Sequence, residues 1–120
     1  MIVLGVDPGS LCTGYGLVDG GARVHRAIEW GAIRSPSSAS QPERLAGIYR
    51  NLREISQRFK PQLMAIEGVF YCKNAQSALK LGQVRGAVMM AALEEGLEVR
   101  EFSPAEVKVA KTVGVTMNFT

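Results

Sequence analysis

The sequence has little that would staple it covalently or around a metal cluster. Its two cysteines, Cys12 and Cys72, lie far apart without a C-x-x-C pair, and His25 is its one histidine. No zinc site or disulfide framework is specified, and the thiols read as small free fillers in a reducing compartment. No run of eighteen apolar residues occurs, which excludes a spanning helix. The opening MIVLGVDPG has neither the basic start nor the long apolar stretch of a secretory signal, so the expected location is the cytoplasm. Internal repeats, blocks of like charge, low-complexity tracts and a Walker Gly-Lys-Ser/Thr motif are all absent. What remains is ordinary globular material: 120 residues, 47% hydrophobic and 21% charged, enough for one domain with a real core. Fourteen basic against eleven acidic residues give a net charge of +3, which permits an anionic partner without demanding one.

Punctuation along the chain is clear. Ile2, Val3, Leu4, Gly5 and Val6 form a short apolar run that stops at Asp7-Pro8-Gly9, a buried strand ending in a carboxylate and a turn. Residues 13–18 and 23–33 flank Asp19-Gly20-Gly21, a tight hairpin signature, so the first three strands are expected to form an antiparallel meander. After a Ser/Pro-rich loop, Ser40 and Glu43 fit a capping box. Leu45, Ile48, Leu52, Ile55 and Phe59 then repeat at helical spacing until Pro61 stops the helix. Residues 63–68 read as another buried strand ending in an acid, Glu67. A helix over about residues 74–94, a strand over residues 97–102 and a helix start at Ser103-Pro104-Ala105-Glu106 follow. Ala78, Gly82 and Gly86 stand four apart in the second helix, a small-residue groove that predicts a close neighbour. Strands followed by strand-helix alternation predict an α/β layer fold with a mixed sheet.

Asp7 and Glu67 are the informative pair, because a charged side chain ending an apolar strand is costly unless solvated, paired or bound to a metal. If the two strands are parallel neighbours, both carboxylates lie at the same C-terminal sheet edge, where ligands of open α/β sheets bind. Hard oxygen donors without a nearby Cys/His set point to Mg²⁺ or Mn²⁺ and to phosphoryl chemistry. Each acid has a plainer reading as well, Asp7 as a turn former and Glu67 as a solvated strand end. Phe70 and Tyr71 follow Glu67, with Lys73 close by. Aromatic faces beside a lysine can stack on unpaired bases and hold phosphate, and they can equally cap a sheet. Lys80, Arg85 and Lys108 read first as a solvated face and second as a phosphate track. His25 reads as structural.

The segments LGVDPGSLCTGYGLV (residues 4–18), AIEGVFYCKNAQSALKLGQVRG (65–86) and SPAEVK (103–108) resemble the RuvC-type Holliday-junction resolvases over about residues 1–112. The resemblance implies an RNase H-like fold with a mixed five-stranded sheet, a homodimer, and Mg²⁺-dependent symmetric cleavage of four-way junction DNA, with Mn²⁺ able to substitute. The RuvA–RuvB branch-migration complex is the partner it implies. Asp7 and Glu67 would be metal-binding catalytic carboxylates, Phe70 a base-stacking wedge and Lys108 a phosphate or transition-state contact. The Ala78-Gly82-Gly86 face would join the dimer interface, and Tyr71, Lys73, Lys80 and Arg85, read from the residues themselves, are the further DNA-binding candidates. Family members continue into a helix bearing two more metal-ligating side chains, whereas residues 113–120 contain no acid and diverge. The expectation is an incomplete domain over residues 1–112 without the C-terminal helix, with weak metal binding and impaired cleavage. Two alternatives stand beside it: a non-cleaving junction-binding dimer, and an RNase H-like nucleotide-binding or RNA-processing relative.

Overall fold

The computed structural model describes residues 1–20, 25–68 and 73–102. Its elements are β1 (Ile2–Asp7), β2 (Cys12–Gly20), β3 (His25–Arg34), α1 (Gln41–Phe59), β4 (Leu63–Glu67), α2 (Ala75–Glu94) and β5 (Glu98–Phe102). The five strands form one mixed sheet in the order β3-β2-β1-β4-β5. The expected meander is present, with β1 antiparallel to β2 and β2 to β3, while β4 lies parallel to both β1 and β5. A register shift beside Leu17 and Val18 leaves Ile28 as an extra residue on the edge strand β3. The Asp19-Gly20-Gly21 turn signature runs into residues 21–24, outside the described residues.

Alternation along the central strands decides which face is covered. Leu4 and Val6 of β1, with Met64 and Ile66 of β4, are fully buried and join one core with Ile48 and Leu52 of α1 and Val84 and Val88 of α2. Asp7 and Glu67, one position further along each strand, belong to the opposite face.

The helices begin and end where local chemistry directs. The Ser40 hydroxyl oxygen accepts from the Glu43 backbone N–H and its O–H donates to the Glu43 carboxylate at 2.8 Å, so the box closes through side chains. Asn74 caps α2 by accepting from the Ser77 N–H at 2.8 Å. At the far end of α2, Gly96 sits at φ +78°. Its N–H bonds the Leu93 carbonyl and the Leu97 N–H bonds that of Ala92, a Schellman closure that turns the chain directly into β5.

Only the C-terminal half of α2 enters the core, through Val84, Val88, Ala91 and Ala92. Its first turns, residues 75–80, are exposed throughout. The expected close neighbour of the small-residue groove is not found among the described residues: an added Cβ at Gly82 or Gly86 meets nothing within 4 Å. No helix among the described residues is long and apolar enough to cross a membrane.

Candidate functional site

Parallel pairing puts Val6 beside Ile66 and so brings the next residues, Asp7 and Glu67, level at the C-terminal edge of the two central strands. Their side chains are hydrogen-bonded to each other. Burial pushes the Asp7 carboxyl above its ordinary range, and the bond with Glu67 draws it partly back. Among the described residues Asp7 has no cationic partner. Two acids this close favour either a shared proton or a cation between them.

The turn after Asp7 is built to hold that acid still. Pro8 has no N–H with which to continue the ladder, so β1 ends there. A Cβ at Gly9 would stand 2.4 Å from the Cys12 carbonyl oxygen, which leaves glycine as the residue that fits. Thr13, fully buried, donates its hydroxyl to the Gly9 carbonyl at 2.7 Å and accepts from the Gly9 N–H at 3.3 Å. Sequence reasoning took Thr13 for a hairpin-strand residue. Its four-residue offset from Gly9 was the available signal, since a hydroxyl there can satisfy a tight turn.

The other candidates divide. Lys73 and Lys80 are exposed, near the N-terminal end of α2. Arg85 is directed inward, its side chain 11% exposed, with one guanidinium arm on the Glu67 backbone carbonyl and the other on the Glu101 carboxylate at 2.6 Å. Phe70, Tyr71 and Lys108 lie outside the described residues, as do the helix expected from residue 103 and the tail at 113–120. No group of three His, Cys, Asp or Glu able to hold a metal occurs among the described residues. Two oxygen donors fit a hard divalent cation as part of a larger ligand set. A groove of about 350 Å³ lined by Tyr15, Glu29 and Arg58 opens elsewhere, between the β2–β3 sheet and α1. Neither acid of the pair lines that groove.

Comparison with known proteins decides the family. The family described as crossover junction endodeoxyribonuclease RuvC matches residues 3–118. The chain belongs to the RuvC family. It is 53% identical over 112 residues to the crossover junction endodeoxyribonuclease RuvC of Chlorobium phaeobacteroides, covering 93% of this chain and 60% of that protein. It is 44% identical over 110 residues to the RuvC of Moorella thermoacetica, covering 92% of this chain and 66% of the relative. The chain thus spans just under two thirds of the length of these curated relatives. The structure of T. thermophilus RuvC in complex with a Holliday junction substrate superposes with a TM-score of 0.84 at 31% identity, covering 92% of this chain and 69% of the other. The yeast mitochondrial Holliday junction resolvase shares the fold, with a TM-score of 0.69 at 14% identity, covering 95% of this chain and 55% of that one. The α/β architecture is RNase H-like, as the sequence resemblance implied.

Proposed function

We propose that this RuvC-family chain recognises four-way DNA junctions and carries the Asp7–Glu67 half of an endodeoxyribonuclease site that resolves them by symmetric phosphodiester cleavage in recombination and repair. The observation that carries this reading is the convergence of Asp7 and Glu67 at one sheet edge, in a chain that belongs to the RuvC family. Mg²⁺ is the cation we assign to the pair, with Mn²⁺ able to substitute, because both donors are hard carboxylate oxygens without thiolate or imidazole. Bound there, the cation supplies Lewis-acid stabilisation of charge developing on the attacked phosphate.

Asp7 and Glu67 would hold that cation, and the Thr13–Gly9 bonds fix the turn that follows Asp7. Phe70 and Tyr71 are assigned to stacking on unpaired bases at the junction centre, Lys73 and Lys80 to the phosphate track, and Lys108 to the phosphate under attack. A second copy of the chain is the partner we assign to α2. Leu79, Met90 and Leu93 are 65%, 49% and 56% exposed there, and Gly82 and Gly86 leave room for a close helix. The RuvA–RuvB motor is the further partner, and the cytoplasm the compartment, that family membership supports.

A second reading, a junction-binding dimer that does not cleave, is favoured by one fact: the described residues supply two acids and no third ligand. Incubating the purified chain with a labelled four-way junction in Mg²⁺ and in Mn²⁺, beside Asp7→Asn, separates the two. Paired symmetric nicks that vanish in the variant support the nuclease. Salt-dependent binding without nicks selects the binder, and absence of both contradicts junction recognition.

A further inference from the structure

We propose that Arg85 is a positioning residue for Glu67, and not a contact to DNA, because it clamps the peptide that follows Glu67 and so fixes where that carboxylate leaves the sheet. The proposal rests on the reading of Asp7 and Glu67 as cation ligands. A single peptide plane separates the Glu67 and Gly68 α-carbons, and both of its polar ends are held. The Gly68 N–H donates to the Phe102 carbonyl of β5 at 2.6 Å, while the Glu67 carbonyl accepts from the Arg85 guanidinium. The guanidinium is anchored in turn by Glu101 of β5 at 2.6 Å.

Each part of this arrangement follows from local chemistry. The β1–β4 register runs to Val6 and Ile66, and Pro8 has no N–H to extend the ladder beside the end of β4. Arg85 follows Val84 and precedes Val88, both buried, so the helix carries it down towards the sheet instead of out to solvent. The planar guanidinium presents its N–H groups in fixed directions, so bridging a carbonyl and a carboxylate sets the α2–β4–β5 angle as well as the distance. With both arms occupied and the side chain 11% exposed, Arg85 would have to leave two charge-assisted bonds to reach a phosphate. Ligand orientation enforced one shell away from a metal commonly governs its affinity.

The test titrates the 120-residue chain with Mn²⁺, reading free ion by electron paramagnetic resonance well below the melting midpoint. Wild type is compared with Arg85→Met, Arg85→Lys, Glu101→Gln and Asp7→Asn, and junction binding is measured against salt without metal. Arg85→Met is expected to weaken Mn²⁺ binding roughly tenfold while leaving the salt dependence of junction binding unchanged. Arg85→Lys should recover part of the loss, and Glu101→Gln should show a smaller one. Wild-type Mn²⁺ affinity in folded Arg85→Met overturns the proposal. So does a salt slope that falls by about one with metal binding intact, the mark of a lost phosphate contact. If Arg85→Met does not fold, Glu101→Gln decides, and wild-type Mn²⁺ affinity there refutes the clamp. Asp7→Asn leaves the clamp untouched, so unchanged Mn²⁺ binding in that variant instead overturns the cation-site reading on which the proposal stands.

Discussion

The end of α2 and the end of the central strands each carry two acids, in opposite surroundings. Arg53 of α1 reaches Glu94 at 3.3 Å and Glu95 at 2.9 Å, and Gln57 donates to Glu95 at 2.8 Å. Tyr49 donates its hydroxyl to Glu94 and stacks beneath Arg53, closing the seam between the two helices. There the hydrogen bonds from Gln57 and Arg53 hold the Glu95 carboxyl below its ordinary range. At the strand ends Asp7 receives a second carboxylate, no described cation, and a pKa raised by burial. Acids that fasten two helices bring their own cation with them. At the strand ends burial sets the direction of the Asp7 shift, and its bonded neighbour is another acid, the contrast on which the candidate site at the sheet edge is proposed.

The largest break in this comparison should come from Thr13→Val. It removes the buried hydroxyl that satisfies both polar groups of Gly9, and is expected to cost about 1–3 kcal/mol in urea denaturation. Arg53→Met strips the cation from the helix seam, yet the seam is solvated, so a melting shift well below that of Thr13→Val is expected. An equal or larger shift would mean that the two regions are fastened alike.

Proton linkage sharpens the contrast because the signs are opposite. Asp7 is raised in the folded chain, so its contribution is most favourable at low pH and is lost as pH rises through the folded value. Glu95 is lowered, so its contribution is present above the unfolded value and is lost as pH falls through the folded one. Urea midpoints followed against pH in metal-free buffer should therefore show Asp7→Asn gaining on wild type as pH rises. Glu95→Gln should lose ground in a lower window, as pH rises from the lowered folded value of Glu95 to its unfolded one, and parallel curves would remove the distinction.

Much of the fold was legible because its elements are announced by local chemistry. Ser40 and Asn74 open the helices, Pro8 and Pro61 stop a strand and a helix, and two apolar runs end in acids. The parallel pairing of β1 and β4 could only be supposed, since no local signal states which strands are neighbours, and Asp7 with Glu67 became a candidate site only through that pairing. Arg85 was misleading for a related reason. A basic residue in a helix reads as solvated unless its phase is compared with Val84 and Val88, and its acceptors, a backbone carbonyl and Glu101, come from strands distant in sequence. Gly82 and Gly86 suggested a neighbour that the described residues do not provide, because small residues at helical spacing do not state what packs against them.

The central claim, that the Asp7–Glu67 edge is arranged for a divalent cation, is tested most directly by the thermal midpoint of wild type and Asp7→Asn across a Mg²⁺ series at neutral pH. Wild type should rise with Mg²⁺, since an ion that binds only the folded chain stabilises it. Asp7→Asn should melt higher than wild type without metal and then stay level. Midpoints that rise in parallel, or a wild type indifferent to Mg²⁺ and no less stable than Asp7→Asn, would contradict the account.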